Sequence, residues 1–577
     1  MAKVYGIDLG TTYSVIATLD DNGMPEVIHN QDEGKNVLAS AVYFQDGDDP
    51  VVGEVAKSMK DMEPDRVVEF VKRYIGKPDA PTFEFDGVSY DPITISALIL
   101  KRMKAYADEQ GHDVKDVVIT CPAYFGNSER MATKQAGIIA GLNVLNIVNE
   151  PTAAALNYCC REFKEDRKIM VYDLGGGTFD ITLFDFSVDE EGRALIDVLK
   201  NGTKGDDRLG GIDWDARMYD YMCEKYTFEN GISQDDMELE LQSKIRAQVE
   251  QAKKDLSTLQ KKSYTISYDG DRTRIELTRQ EFEERTQDLV ERTMDFVHQL
   301  LAGVALTPND VDLVLLVGGS TKMPMVKSAV EALFPGKVRV EDPDLAVAKG
   351  AALAAAIEWN ERIQEIASGQ KTAEESEIAE SIASDEADAG GTIPKEDIGS
   401  LMINIPQHVA TGTVSDKLTR SLGPAVFVDE DHYMIDNLLF VGDEIPAEST
   451  AVYGTRVDNQ EYVRLKVFEN VSTDREHKHV KPSIDENGET QYTDPDLKVK
   501  KISDDVVLPL PPNTIKGTPI QVVFRSSAIG LEVFATNLET GDSITAIIES
   551  DDGSILKPDE LDERRKRFAD IQTSGQI

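Results

Sequence analysis

Two glycine–threonine loops carry the residue types that bind phosphate. The first is Asp8–Thr12 (DLGTT) and the second is Asp173–Asp180 (DLGGGTFD). Each follows a short apolar run, 4–7 or 169–172, that predicts a β-strand. Glycines let backbone N–H groups approach an anion, threonine hydroxyls add donors, and the aspartates offer hard oxygens to Mg²⁺. Two such loops predict two copies of one unit that face each other across a cleft holding a nucleotide's phosphates.

Two glycine pairs lie in predicted loops further along the chain. Gly318 and Gly319, followed by Ser320, come between the apolar strand 314–317 and a helix expected to begin near Met323. The other pair is Gly210-Gly211, which precedes Asp213. Backbone N–H groups at a helix start can bind phosphate. A turn is the ordinary explanation of either pair taken alone.

The stretch near 239–257 predicts an amphipathic helix with two distinct faces. The expected buried face consists of Leu241, Ile245, Val249, Ala252 and Leu256. A separate stripe consists of Glu250, Lys253, Lys254 and Ser257. Such a stripe is either a solvated charged face or a set of contacts to a ribose and base, and the residues alone favour the solvated face.

Two single charges are open to a structural and a functional interpretation. Lys72 lies among apolar neighbours, where its stem can run along the surface or its ammonium can reach a γ-phosphate. Glu150 precedes Pro151 at a predicted helix start. A carboxylate there interacts favourably with the helix dipole, or it can hold the water shell of a metal ion.

Composition limits the possible partners and the cellular compartment. The chain has 577 residues, which predicts two to four domains. A net charge of −44 disfavours nucleic acid and anionic lipid as partners. The four cysteines show neither metal-site nor disulfide spacing and are expected to be reduced thiols. With no signal-like segment at residue 1 and no apolar run near 18 residues, we expect a cytoplasmic protein.

The pattern of elements changes twice along the chain. Residues 1–360 alternate apolar strands with amphipathic helices, which indicates an α/β fold. Residues 361–397 are rich in acidic residues, alanine and serine, and favour a flexible tether over a solvated helix extension. Residues 399–551 show alternating strands separated by turn residues, and 558–571 predicts a few helical turns.

Together these motifs resemble the heat-shock 70-kilodalton chaperone family, within the actin/hexokinase superfamily of ATPases. The matching stretches, in order along the chain, are 6–14, 118–125, 149–156, 173–180, 209–213, 317–321 and 342–352. The resemblance implies an α/β two-lobed actin-like ATPase domain plus an all-β sandwich domain, with the C-terminal helical lid reduced or absent. The implied domains are a nucleotide-binding ATPase domain (1–365), an acidic linker or insertion (366–398), a substrate-binding β-sandwich (399–551) and a short, partly helical charged tail (552–577).

The resemblance also implies roles for the candidate residues. Asp8, Asp173 and Glu150 would hold Mg²⁺, largely through water, and Lys72 would lie at the γ-phosphate. The residues implied to orient the attacking water are Asp173, Asp206 and Thr178. The residues implied to hold the phosphates are Thr11, Thr12, Gly175, Gly176, Gly177 and Thr178. Those implied to hold adenosine are Glu250, Lys253, Lys254, Ser257, Gly319, Ser320, Lys322 and Asp344, and here the resemblance overturns the solvated interpretation of the helix stripe. Further implied cofactor-binding residues are Gly10, Tyr13, Gly210, Gly211 and Gly318.

Several positions depart from the family pattern. Arg208 stands where the family usually has histidine, Lys322 where it usually has arginine, and Lys349 where an aromatic residue is common. The stretch 396–406 resembles a degraded form of the family's interdomain linker. Segment 417–440 differs where the family's peptide-contacting loops fall, so no substrate-contacting residue is carried over.

The implied function is that of an ATP-dependent molecular chaperone that hydrolyses ATP to ADP and phosphate. ATP would control the binding of unfolded or extended polypeptide by the β domain, with a J-domain co-chaperone and a nucleotide-exchange factor as further partners. Pro122 and Arg130 match positions that the family uses to couple nucleotide state to the peptide domain. The alternative is a nucleotide-switched scaffold or regulator that binds one dedicated protein. A small-molecule kinase of the same superfamily is disfavoured because the chaperone motifs and the β region are both present.

Overall fold

The structure is a computed structural model with no bound ligand. It describes residues 3–46, 49–60, 62–162, 165–188, 190, 194–370, 401–406, 409, 414–427, 433–472, 479–480, 483–484, 490–491, 499–527, 530–548, 554–569 and 571–575. The expected acidic linker, 366–398, lies outside the described residues from position 371 onwards.

Two central sheets with matching strand orders organise residues 3–370, called here the α/β region. The first sheet consists of β1 (Val4–Asp8), β2 (Tyr13–Leu19), β3 (Pro25–Val27), β4 (Leu38–Ala39), β10 (Asp116–Cys121) and β11 (Asn143–Asn149). The second contains β12 (Arg167–Leu174), β13 (Phe179–Val188), β14 (Ala194–Asp206), β17 (Leu313–Val317) and β18 (Val338–Val340). The orders are β11-β10-β1-β2-β3 and β18-β17-β12-β13-β14. In each sheet three parallel strands continue into an antiparallel pair. This repeat agrees with the two copies that the loops predict.

Helices surround and connect the two sheets. They are α1 (Glu54–Met59), α2 (Pro92–Asp108), α3 (Asn127–Ile139), α4 (Glu150–Glu162), α5 (Gly211–Asn230), α6 (Leu239–Thr258), α7 (Arg279–Gly303), α8 (Pro324–Leu333), α9 (Ala346–Ser368) and α10 (Pro558–Ala569). Short 3₁₀ helices occupy Pro64–Arg66, Val71–Arg73, Gln234–Asp236, Pro308–Asp310 and Gly319–Lys322. Smaller strands outside the two sheets are β5 (Ala41–Tyr43), β6 (Val51–Val52), β7 (Val67–Glu69), β8 (Phe83–Phe85), β9 (Val88–Tyr90), β15 (Lys261–Tyr268) and β16 (Asp271–Thr278). No described helix is long and apolar enough to cross a membrane.

The crossing of α4 and α9 joins the two sheets at close range. A Cβ on Gly350 of α9 would lie 1.6 Å from the backbone oxygen of Ala153 in α4. A Cβ on Gly6 of β1 would lie 2.0 Å from the backbone nitrogen of Ala352. Glycine is therefore required at both positions, because α9 contacts α4 and the first sheet backbone to backbone.

A second, all-β region follows the α/β region. One of its sheets contains β20 (Ser421–Phe427), β21 (Tyr433–Asp436), β24 (Tyr462–Asn470), β25 (His479–Val480) and β28 (Lys500–Pro509). The other contains β23 (Ala447–Gly454), β29 (Pro519–Ser527), β30 (Gly530–Asn537) and β31 (Ser543–Ile547). A minor pair is β26 (Ser483–Ile484) with β27 (Thr490–Gln491). An apolar cluster that includes Leu465, Val522 and Val533 joins the two larger sheets. The described part of residues 418–548 is called the β region below.

The strand that connects the two regions lies further along the chain than the predicted linker. β19 (Val414–Lys417) pairs in parallel with β14 of the second sheet and, on its other side, with β22 (Glu444–Ile445). Residues 401–406 are the described part of the stretch 396–406, which resembles the family's interdomain linker. They pack on α9 instead. There Trp359 Nε1 donates to the Leu401 carbonyl at 2.8 Å, and Asn360 exchanges two hydrogen bonds with the backbone of Ile403. Burial of its apolar residues against α9 explains this position.

Candidate functional site

A cavity of about 470 Å³ opens between the two central sheets. Both glycine–threonine loops line it, together with α6 and the start of α9. The candidate residues along its wall are Asp8, Gly10, Thr11, Thr12, Tyr13, Lys72, Glu150, Asp173, Gly175, Gly176, Thr178, Gly211, Glu250, Lys253, Lys254, Ser257, Gly318, Gly319, Ser320, Lys322 and Asp344. Residues spread over more than 330 positions of sequence are thus brought to one site.

The two loops face each other at contact distance. A Cβ on Gly176 would lie 1.9 Å from Thr12 Oγ1, and a Cβ on Gly177 would lie 2.5 Å from Thr11 Cγ2. Any side chain at either glycine would fill the space between the loops. Thr12 Oγ1 is buried and makes no hydrogen bond to a described residue. The position therefore offers an unused hydroxyl donor at the point where a bound anion would lie.

Carboxylates collect at the strand ends beneath these loops. Burial, and then the charge of Glu150, raise the pKa of Asp8 to about 7, although Lys72 and a hydrogen bond from Thr120 act against them. Burial, with the charges of Glu150 and Asp8, raises the pKa of Asp173 well above its usual range. Such crowding of like charge is relieved by a bound cation.

Lys72 is a cation at the centre of this carboxylate group. Its side chain is 5% exposed and forms an ion pair with Glu150. Burial lowers the pKa of Lys72, but the charges of Glu150 and Asp8 outweigh it and raise the pKa overall. The lysine is therefore held charged inside the cleft. The alternative, a lysine whose stem runs along the protein surface, does not fit this position.

Asp180 joins the carboxylate group, although we did not predict it as a site residue. It pairs directly with Asp173 in the β12–β13 ladder and is 1% exposed. Burial, followed by the charges of Glu150 and Asp173, raises its pKa well above the usual range. The sequence signal was present, because Asp180 is the second aspartate of the DLGGGTFD loop.

Asp206 does not line the cavity, in contrast to its predicted role beside the attacking water. It ends β14, where it forms an ion pair with Arg292 of α7 and accepts the Arg208 N–H at 2.9 Å. In the β13–β14 ladder its partner is Phe179, the residue before Asp180. Its carboxylate is thus neutralised by an arginine outside the cleft.

Gly177 and Gly210 contact each other at the edge of the cavity. Neither lines the cavity, and a Cβ on Gly210 would lie 2.5 Å from the backbone of Gly177. The Gly177 carbonyl accepts two hydrogen bonds from Arg73, at 3.0 and 2.7 Å, across the cleft. The same guanidinium contacts the Asp213 carboxylate at 2.9 Å. Arg73 therefore connects the 173–180 loop and the turn at Gly210-Gly211 to the first half of the α/β region. Arg73 was not predicted, and its only signal in the sequence is its position next to Lys72.

The stripe on α6 faces the cavity. Lys253 donates to the Gly211 carbonyl at 2.9 Å and to Asp215 at 2.7 Å, with its side chain only 12% exposed. The interpretation of the stripe as a solvated face therefore does not hold for Lys253. On the opposite side, Lys322 forms an ion pair with Asp344, and Ser320 Oγ donates to the Gly175 carbonyl at 2.8 Å.

The mouth of the cleft is bridged by charged residues from its two sides. Lys57 of α1 forms an ion pair with Glu250 of α6 and donates to the Tyr13 hydroxyl at 3.1 Å. Burial alone would raise the pKa of Glu250, but the charges of Lys57 and Lys254 lower it to about 2. Lys57 was not predicted, because nothing in its local sequence distinguishes it from an exposed helix residue.

The β region contacts the α/β region at the start of α3. Thr419 Oγ1 donates to the Phe125 carbonyl at 3.1 Å, and Lys500 Nζ donates to Ser128 Oγ at 3.0 Å. Arg130 of α3 lines a small cavity at this contact and donates to the Ile147 carbonyl at 3.2 Å. Ile147 lies on β11, the strand that leads directly into Glu150 of the cleft. A continuous path of contacts therefore runs from the cleft to the β region.

Known proteins share the α/β region of this chain. A family model described as Hsp70 protein matches residues 4–370. The proteins named chaperone protein DnaK of Thermotoga petrophila and Thermotoga maritima are each 42% identical to this chain over 364 residues, and that of Thermosipho melanesiensis is 40% identical over 364 residues. Each alignment covers 61% of this chain and 59% of the relative. The chain therefore spans less than two thirds of the length of these curated relatives.

Proposed function

This chain belongs to the Hsp70 protein family, and from that premise we propose that it is an ATP-dependent chaperone that hydrolyses ATP to ADP and phosphate. ATP and Mg²⁺ would bind in the cleft between the two central sheets. The nucleotide would control the binding of unfolded or extended polypeptide by the β region. A J-domain co-chaperone and a nucleotide-exchange factor would be further partners, as the family resemblance implies.

One observation carries this proposal, namely the way the two loops meet. Gly176 and Thr12 approach so closely that no side chain fits between the loops, while a buried Thr12 hydroxyl is left without a partner among the described residues. Below them lie three buried carboxyls, Asp8, Asp173 and Asp180, whose pKa values are raised by burial and then by the charge of Glu150. The cavity that these loops line, with its hydroxyl donor above a group of carboxyls, suits a polyphosphate bound with a divalent cation.

The residues divide naturally by the part of the substrate they would contact. Mg²⁺, when bound with ATP, neutralises charge on the phosphates. Asp8, Asp173 and Glu150 would hold the ion, largely through its water molecules. Lys72 would donate to the γ-phosphate, and Thr178 and Asp180 would orient the attacking water. We propose Asp180 for the role predicted for Asp206, because Asp180 is buried beside Asp173, whereas Asp206 is paired with Arg292.

Binding of the nucleoside would depend on the other end of the cavity. Glu250, Lys253, Lys254 and Ser257 present polar groups from α6. Gly318, Gly319, Ser320, Lys322 and Asp344 present backbone and side-chain groups from the opposite wall. These are groups that can hydrogen-bond a ribose and a purine edge, and Ser320 and Lys253 connect them to the glycine loops through the carbonyls of Gly175 and Gly211.

The proposal is tested by measuring nucleotide and peptide binding on the same protein. We expect MgATP to bind stoichiometrically in calorimetry, EDTA to weaken that binding, and steady-state phosphate release to follow. On an array of apolar peptides, we expect broad binding with ADP that weakens when ATP is added.

Each negative result of these measurements would contradict a different part of the proposal. Absence of nucleotide binding would contradict the whole proposal. ATP hydrolysis without binding to any peptide, combined with recovery of one protein in a pull-down, would instead support the nucleotide-switched regulator. Transfer of phosphate from ATP to a small molecule would support the kinase alternative.

A further inference from the structure

The 554–575 segment packs into the α/β region as part of its core. Ile555, Leu556 and Phe568 are 4%, 7% and 2% exposed. They belong to the same apolar cluster as the buried residues of α2, α3 and β10. The Phe568 ring meets Tyr90 of β9 edge-on, with the ring centroids 5.9 Å apart. Burial of this kind is typical of a domain's own core and contrasts with the more polar contacts of movable domains.

Polar contacts fix the register of this packing at its start. The side-chain amide of Gln135, on α3, donates to the Leu556 carbonyl at 2.6 Å and accepts the Leu556 N–H at 2.8 Å. Gln135 is itself 4% exposed. Both backbone groups of Leu556 are thus satisfied by one buried side chain, and separating them would leave buried polar groups unpaired.

The helix α10 is held at its middle and at its C-terminal end. Arg564 donates to Asp91 and to Thr94 Oγ1, each at 2.6 Å, and Asp91 is the residue that caps the start of α2. At the end of α10, Lys101 of α2 donates to the carbonyls of Phe568 and Ala569 at 2.6 and 2.9 Å. A cation at these carbonyls stabilises the end of a helix.

Beyond α10 the segment forms a backbone bridge with the α/β region. The Val52 N–H donates to the Ser574 carbonyl at 2.8 Å, and the Ser574 N–H donates to the Pro50 carbonyl at 3.2 Å. The segment therefore contacts β6, β9, α2 and α3 along its whole described length.

The β region is consequently joined to the α/β region on both sides in sequence. Before it, β19 is paired with β14. After it, the 554–575 segment is built into the cluster around α2 and α3. We propose that the 554–575 segment is a permanent part of the α/β region, which keeps the β region docked whichever nucleotide is bound. The effect of nucleotide on the β region would then be a rearrangement within the docked state. Only the clause about nucleotide rests on the function proposed above.

Hydrogen–deuterium exchange on the full chain tests this proposal in the nucleotide-free, ADP and ATP states. We expect the amides of Pro558–Ala569 to exchange as slowly as those of Pro92–Asp108 in all three states. Peptides containing Asp8–Thr12 and Asp173–Asp180 serve as an internal control, because bound nucleotide should slow their exchange. A tenfold or greater acceleration at 558–569 in any one state would overturn the proposal.

The two proposals fail in different ways in this experiment. If the loop peptides do not respond to nucleotide, the proposed function fails. Exchange at 558–569 without nucleotide still tests the proposal about the segment. Fast exchange there contradicts the proposal that the segment is a permanent part of the α/β region, and slow exchange supports it.

A pair of arginine variants supplies an independent measurement. Arg564→Ala removes the contacts to Asp91 and Thr94, whereas Arg565→Ala changes an exposed neighbour. We expect at least fivefold faster exchange at 558–569 in the Arg564 variant and wild-type exchange in the Arg565 variant. Equal exchange in the two variants would contradict the anchoring role of Arg564.

Discussion

Two clusters of carboxylates differ in how their charge is balanced. In the cleft, Asp8, Glu150, Asp173 and Asp180 surround the single ammonium of Lys72. At the contact between the α/β region and the β region, Glu129 and Glu469 approach each other. Both have an oxygen within 3.2 Å of the position that a Cβ on Gly126 would take. Here Lys500 and Arg420 supply two cations to two carboxylates.

The difference is that of a proposed ligand site and an interface. The four cleft carboxyls outnumber the lysine among them, so the pKa values of Asp8, Asp173 and Asp180 are raised, and a bound cation would stabilise their ionised forms. The interface supplies its own cations, and its remaining repulsion depends on whether Glu129 is protonated. Changes in the cleft should therefore alter chemistry strongly, whereas changes at the interface should alter docking modestly.

The largest expected effect follows from removing charge in the cleft. Asp173→Asn removes a carboxylate proposed to hold Mg²⁺, and Lys72→Ala removes the proposed γ-phosphate donor. Each should lower steady-state ATP hydrolysis by at least about 100-fold, the size found when one preorganised electrostatic group is lost. Phosphate release measures it, and circular dichroism checks that the fold is kept.

Asp235→Asn and Lys244→Ala are the matched controls, because both residues lie at the surface. They should retain wild-type turnover. Unchanged turnover in the two cleft variants would contradict the assignment of this site.

A smaller effect follows from forcing the two loops apart. Gly176→Ala places a Cβ 1.9 Å from Thr12 Oγ1, so the loops must move apart. We expect nucleotide affinity to fall by at least about tenfold, since relieving such overlap displaces the donors from their positions. Gly303→Ala is the control, because a Cβ there meets nothing within 4 Å. If both alanine variants bind nucleotide like the wild type in calorimetry, the loops do not contact it.

The interface predicts a dependence of docking on pH. Burial, followed by the charge of Glu469, raises the pKa of Glu129 above its ordinary value of 4.5, against the opposing charges of Lys500 and Arg420. The protonated carboxyl is therefore favoured in the docked state. This contribution to docking is fully present below pH 4.5 and is lost as the pH rises through the raised value.

Glu469→Gln should remove the repulsion and weaken this pH dependence. We expect the amides of Val414–Lys417 to exchange about threefold more slowly than in the wild type at neutral pH, because the docked state then opposes ionisation of Glu129 through burial alone. The surface variant Glu461→Gln should leave exchange unchanged. A wild-type pH profile in the Glu469 variant would show that the two carboxylates do not interact.

The smallest effect is expected at the mouth of the cleft. Glu250→Gln removes the ion pair with Lys57, whose side chains are 25% and 19% exposed. Release of a fluorescent nucleotide should accelerate about twofold, since partly exposed ion pairs contribute little. Glu240→Gln, which disturbs an exposed pair with Lys244, is the control. Slower nucleotide release in the Glu250 variant would contradict the idea that the Lys57–Glu250 ion pair helps to close the mouth of the cleft.

Regular elements of the α/β region could be predicted closely from sequence. The helix expected near 239–257 spans Leu239–Thr258, and all five residues expected on its buried face are buried. The strands and the two facing loops followed from apolar runs that end in Asp and Gly, because local chemistry determines both. Family membership, implied by the order of the motifs, is confirmed. The assigned roles of the site residues stay predictions.

The unpredicted features depend on contacts between distant residues. Arg73 and Lys57 act across the cleft, and their neighbours in sequence carry no sign of their partners. Asp206 is paired with Arg292 and Asp180 is buried beside Asp173, because ladder register, which decides the face of a sheet on which a side chain lies, is not visible in a motif. Packing of Leu401–Pro406 on α9, and of the 554–575 segment on α2, likewise depends on surfaces formed only after folding.

The crossing of α4 and α9 determines how the cleft can move. Gly350 and Ala153 touch backbone to backbone, with no side chains between them to slide or compress. Glu150 and Val347, at the starts of these helices, both line the cavity, so the crossing lies directly beneath it. Pulling the two sheets apart would open a void along this backbone contact, whereas turning one sheet about it would not. We therefore expect the cleft to open by rotation about the crossing, and the proposed nucleotide to pass where that opening is widest.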